Sequence, residues 1–214
     1  MKLLGGKSND AWREREFCVI DVETTGLDLI NDEVISIGAV KIRDGRFKAK
    51  GNFYEEIAPT KSPSANSIAI HGLRSADLKS ARSLDVVVPS LIAYLEDTCV
   101  IAHAVWVERA FLGAPLKRHG YRFPQSVIDT AALARSVGLA ETKTAQEPSL
   151  ELLAKKLNLP AYSPHHALGD AMTTAAVFLA LVAKIEKSIF QRENRLLTLQ
   201  KLVEISRNQS GNNW

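Results

Sequence analysis

Cysteine is scarce in this chain: two among 214 residues, Cys18 and Cys99. Both stand in strand-like apolar runs, so they read as small buried thiols in a reducing compartment, and neither a zinc spacing nor a disulfide framework can be built from them. Long apolar runs are missing as well. The N-terminal MKLLGGKSND has too short an apolar stretch for a secretory leader, and the most apolar segment, residues 171–183, falls short of the ~18 residues of a membrane span. The expectation is a cytoplasmic protein with no membrane contact. Neither sign of charge dominates: 27 Lys and Arg against 24 Asp and Glu give a net +3, which permits a polyanionic partner without requiring one. No repeat, low-complexity tract or linker divides the chain, and 46% hydrophobic with 24% charged residues is ordinary usage for one globular domain.

The β signals come early. Residues 16–22 read as a first strand with TTG at 24–26 as its exit turn, and 33–43 and 47–57 read as two more, joined by Asp44-Gly45, the strongest hairpin signal present. Residues 58–80 read as a loop with at most a short helix near 75–79. A helix over 84–96, a strand over 99–104, a helix over 105–119 and a short strand over 126–130 follow. Helices then dominate, at about 130–138, 149–157, 167–185 and 188–206, with 141–149 as a polar surface loop. A hairpin followed by alternating helices and strands predicts an α/β fold, a mixed sheet covered by helices on both faces. In the last helix Ile189, Leu196 and Val203 lie seven apart, and such a stripe most often packs on its own domain. The expected division is an irregular 1–15, a folded 16–185 and a C-terminal helix and tail over 186–214.

Acids stand where apolar residues are expected. In FCVIDVETTGLD, residues 17–28, a buried-type strand ends in Asp21 and Glu23. Alternate strand residues share a face, which puts these two roughly 7 Å apart at Cα. Two such carboxylates need water around both or a cation between them. Glu108 falls three or four residues from Val105, Phe111 and Leu112 on a helix, hence on their inward face. For one isolated glutamate a surface pair with Arg109 or Arg118 is the commoner role. Asp170 is the only charge in the apolar helix ALGDAMTTAAVFLALVA, where an acid in the first turn commonly just complements the helix dipole. His165, in the SPHH turn five residues ahead of Asp170, is placed to overhang whatever Asp170 binds, and histidine is the residue type suited to a general base. Taken together, four carboxylates require divalent cations, and oxygen-only ligands describe a magnesium or manganese site suited to phosphoryl chemistry.

The runs VIDVETTGL (19–27), IHGL (70–73), AHAVWVERAFL (102–112), IDTAALAR (128–135) and HHALGDAMTTAAVFLAL (165–181) resemble, in that order, the DEDD exonucleases of the histidine subclass. The pattern is most like the epsilon proofreading subunit of bacterial replicative polymerases and its stand-alone relatives. The resemblance implies a ribonuclease H-like fold with a five-stranded mixed sheet, and 3′ to 5′ removal of nucleoside 5′-monophosphates from a nucleic-acid end, DNA or RNA. It further implies that Asp21, Glu23 and Asp170 hold one of two metal ions, that Asp21 bridges to the second, and that His165 deprotonates the attacking water. Glu108 stands where the family has an aspartate acting through water or the second metal. Thr24, Thr25 and Gly26 would lie against the terminal nucleotide, with His71 lining the same pocket. Ala104 replaces the family's asparagine, and Asp129 reads as a helix cap rather than a fifth ligand. Single-stranded DNA is the expected substrate. The alternatives are an oligoribonuclease-like enzyme or a catalytically weakened accessory module, and a polymerase or self-association contact is compatible with the C-terminal stripe.

Overall fold

The computed structural model describes residues 11–47, 50–141 and 147–210. Its centre is a mixed sheet. β1 (Phe17–Thr24) pairs antiparallel with β2 (Val34–Arg43) and parallel with β5 (Cys99–Ala102), which in turn runs parallel to β6 (Val127–Asp129). The outer partner of β2 is in two pieces, β3 (Arg46–Phe47) and β4 (Phe53–Glu56), both antiparallel to it. Six strand segments therefore occupy five positions, and the single strand expected over 47–57 is interrupted; residues 48 and 49 lie outside the described residues. Asp44 and Gly45 both take positive φ, 55° and 68°, the backbone of a two-residue type I′ hairpin, which is why that dipeptide marks the turn.

Helices cover both faces: α1 (Ala65–His71), α2 (Leu84–Leu95), α3 (Trp106–Arg118), α4 (Thr130–Ser136), α5 (Leu150–Lys156), α6 (Ala167–Glu193) and α7 (Leu199–Gln209). The period of two along β1 sorts its residues between them. Phe17 and Val19 pack with Phe178, Leu181 and Val182 of α6. Cys18, Ile20 and Val22 pack with Val87, Val88 and Leu91 of α2 and with Leu112 and Leu116 of α3. Asp21 and Glu23 continue the face of Phe17 and Val19, the face that α6 covers. Cys18 and Cys99 are free buried thiols, each pushed up to about 12 chiefly by burial.

Four departures from the sequence reading have local causes. The helix in the 58–80 loop is α1, not 75–79: Ser64 caps it by accepting from the Ser67 N–H, and Gly72 ends it in the left-handed conformation. α6 runs to Glu193 rather than 185. The expected helix over 188–206 is broken, because Asn194 closes α6 at φ 50° and Thr198 starts α7 by capping Lys201 N–H. The stripe is thereby divided: Leu196 is 69% exposed between the helices, while Leu202 and Val203 of α7 are buried against the body of the domain. Lastly, Trp12 lies in a short 3-10 turn, buried edge-on to Phe178 with centroids 6.0 Å apart, and its backbone N–H donates to Leu197 O at 3.1 Å. Taken over its greater length, α6 contains an 18-residue window of mean hydropathy 1.6, long and apolar enough to cross a membrane by length and composition. Of that window 61% is buried inside the protein, the setting of a core helix.

Candidate metal and nucleic-acid end site

Asp21, Glu23 and Asp170 converge. Each offers a carboxylate oxygen, and these atoms lie within 4.8 Å of one another. Two glycines make the approach of α6 feasible. Gly38 of β2 pairs directly with Asp21, and a Cβ there would overlap the backbone of Ala167 and Leu168 at the start of α6. At Gly169 a Cβ would overlap the carbonyls of Tyr162 and Ser163, in the turn that carries the two histidines. The helix can thus lay its first turn on the sheet beside Asp21. A lone glycine inside the strand pattern VISIGAVKIR is the sequence signal for such close approach.

Their electrostatics are those of acids held together against repulsion. Asp21 is raised well above the carboxylate range, by burial first and then by the charges of Glu108, Glu23 and Asp170. Glu23 is pushed up to about 7 by burial and by Asp170. Burial likewise raises Asp170, partly offset by the hydrogen bond its Oδ2 accepts from His165 N–H at 3.0 Å. Oxygen-only donors whose ionised forms are destabilised by one another fit a hard divalent cation, which would relieve both burial and repulsion.

Glu108 is buried at 2% exposure and points inward as its helical phase predicts; its Oε2 has no partner among the described residues. It is not one of the three clustered acids, yet among charges it acts most strongly on Asp21. Burial, Asp129 and Glu23 raise its own pKa well above the usual range. Asp129 is a cap, as expected: Oδ1 accepts from Ala131 N–H at 2.8 Å and from Ala104 N–H at 3.1 Å. Ala104 itself is held at φ 58°, a conformation that asparagine or glycine adopts more cheaply. His103, next to it, is half-buried and held between Thr130 Oγ1 at 2.9 Å and Pro148 O at 2.6 Å.

The loop after β1 is built from within. Thr24 Oγ1 donates to Gly26 O at 2.6 Å, and Thr25 Oγ1 donates to Asp32 Oδ1 at 2.8 Å while accepting from Glu33 N–H. Both threonine side chains are buried and their hydroxyls are used inside the loop. A Cβ on Gly26 would overlap the Asp32 carboxylate, so that glycine makes room for a residue of its own loop. The Thr25 carbonyl accepts from Ser64 N–H at 3.1 Å and Ser67 Oγ at 2.8 Å, docking α1 on this loop. His71, at the end of α1, accepts from Leu73 N–H at Nδ1, 3.1 Å. Burial, with the neighbouring His165 adding to it, holds its imidazole below the usual range against the opposite pull of the Thr24 backbone. The sequence reading missed Gly38, Asp32, Ser67 and Tyr54; the last stacks on His166 with ring centroids 4.5 Å apart.

The RNase_T exonuclease family model matches residues 18–178. A DNA polymerase III of PolC type from Thermotoga petrophila is 35% identical over 180 residues, covering 84% of this chain but 13% of the polymerase. The chain thus spans about an eighth of that relative. Among solved structures, exonuclease X bound to 5′-overhanging duplex DNA matches with a TM-score of 0.63 at 22% identity, covering 89% of this chain and 99% of that one. The nuclease domain of 3′hExo, a DEDDh family member bound to rAMP, matches at 0.67 and 15% identity, covering 82% and 95%. These likenesses show a ribonuclease H-like exonuclease fold.

Proposed function

Since this chain belongs to the RNase_T exonuclease family, we propose that it removes nucleotides one at a time from the 3′ end of a nucleic acid, with single-stranded DNA as its substrate. The observation that carries this reading is the convergence of three carboxylates, from β1 and the first turn of α6, within 4.8 Å of one another. Asp21, Glu23 and Asp170 would hold a divalent cation, magnesium or manganese, and Asp21 would be shared with a second ion. When bound, such ions supply Lewis-acid polarisation of the phosphate, a nucleophilic water at neutral pH and charge compensation.

The chain's own groups do the rest. Glu108 brings a fourth carboxyl close enough to act on Asp21, favouring occupancy of the cluster by cations; its burial supports counting it with the other acids rather than as a surface residue. His165 takes the proton from the attacking water. The Thr24–Gly26 loop and His71 wall the place of the terminal nucleotide, braced by the hydrogen bonds from α1 to Thr25 O. The phosphodiester is cut at the 3′ oxygen of the preceding residue, and a nucleoside 5′-monophosphate is released. The setting we propose is cytoplasmic, and the polymerase relative supports association with a polymerase.

Incubation with 5′-end-labelled single strands and Mg²⁺ or Mn²⁺ tests the reading. A ladder shortening from the 3′ end, absent in Asp21→Ala, is expected. Intact strands, or equal shortening by the variant, would refute it. Preference for RNA of a few nucleotides over longer DNA would instead identify an oligoribonuclease-like enzyme.

A further inference from the structure

His165 is fixed at its backbone but not by its backbone alone. Its φ is 59°, its N–H donates to Asp170 Oδ2 at 3.0 Å, and the next residue, His166, stacks on Tyr54 of β4. None of these contacts sets the torsions of the His165 ring. One neighbour does reach it: Oε1 of Glu151, in the first turn of α5, lies 3.5 Å from His165 Nε2. Glu151 is also close enough to raise Asp170, so it borders the acidic cluster. Among the described residues, the charged or titratable groups facing His165 are Glu151, Asp170 and His71.

We infer that Glu151 is a positioning residue for His165: its carboxylate accepts from Nε2 and sets the rotation of the imidazole, leaving Nδ1 to take a proton. This rests on the reading of His165 as the proton acceptor. At 3.5 Å the contact stands at the long limit of a hydrogen bond, close enough for the carboxylate to orient the ring. A glutamate in a helix's first turn also complements the helix dipole, and an ion pair between two half-exposed side chains adds little stability. A merely structural Glu151 would therefore leave the ring of His165 indifferent to its removal.

The test has two arms. In the metal-free protein, ¹³C relaxation of the His165 ring should report an ordered imidazole in the parent and in Glu151→Gln, and a mobile one in Glu151→Ala. In the nuclease assay, Glu151→Ala should lower kcat about tenfold with KM changed less than about twofold. Glu151→Gln should restore most of the rate, and in a His165→Ala background Glu151→Ala should have no further effect. A ring equally ordered in all three proteins overturns the inference whether or not the parent cuts nucleic acid, so its failure is distinct from failure of the nuclease reading. An unchanged kcat, or an equal loss in the His165→Ala background, overturns it as well.

Discussion

Replacing Glu23 by glutamine should stabilise the protein when no metal is present, by an amount that grows as pH rises above about 4.5 and levels off above about 7. In the folded chain the Glu23 carboxyl is pushed up to about 7, by burial first and by Asp170 second, against an ordinary value of 4.5. The folded state therefore keeps a proton that the unfolded state releases between those two values. Stability falls as pH rises through that window and stays reduced above it. The gap corresponds to about 3 kcal/mol at pH 8, shrinking to about 0.4 kcal/mol at pH 4.5. Glutamine keeps the shape and never ionises, so it removes the penalty. Urea unfolding of chelator-treated protein reads the difference, and thermal melts should separate by roughly 2–4 °C for each kcal/mol. Manganese should invert the order, since a cation that binds only the folded parent stabilises it by mass action. A variant no more stable than the parent at pH 8, or equally favoured at pH 4.5, would refute the reasoning that repelling acids await a cation.

Substitutions at three more positions probe how the site is assembled. Gly38→Ala inserts a methyl group into the backbone of Ala167 and Leu168 and should cost about 3 kcal/mol or abolish folding; a melt like the parent's would mean that α6 does not sit on the sheet there. Ala104→Gly relieves a left-handed alanine and should add about 1 kcal/mol in urea unfolding. Asp129→Asn should keep both metal affinity and nuclease rate because the amide oxygen still caps α4, whereas Asp129→Ala should lose about 1–2 kcal/mol of stability. Loss of metal binding in Asp129→Asn would make it a ligand after all.

What was legible in the sequence is what depends on period and short-range chemistry. Asp21 and Glu23 share a face because strands alternate, and Glu108 turns inward because helices repeat every 3.6 residues. The Asp44-Gly45 turn and the Asp129 cap are likewise local. The long-range placements were not legible. Whether Asp170 meets Asp21 depends on α6 lying flat on β2, which Gly38 permits, and a lone glycine in a strand announces an approach without saying of what. The break expected after 185 falls instead at Asn194, whose left-handed cap interrupts a stripe that hydrophobicity alone carries through to Val203. Trp12 was left in an irregular tail because its partners, Phe178 and Leu197, are more than 160 residues away. Thr25 shows the reverse case: a family-like loop residue whose hydroxyl is used to hold its own loop, through Asp32 and Glu33.

The most direct measurement is anomalous diffraction at the manganese edge from crystals soaked in Mn²⁺ with a nucleoside 5′-monophosphate. A manganese peak bounded by the carboxylates of Asp21, Glu23 and Asp170, and lost in Asp21→Asn, is the predicted result. Saturating Mn²⁺ with no density among those three side chains would contradict the account.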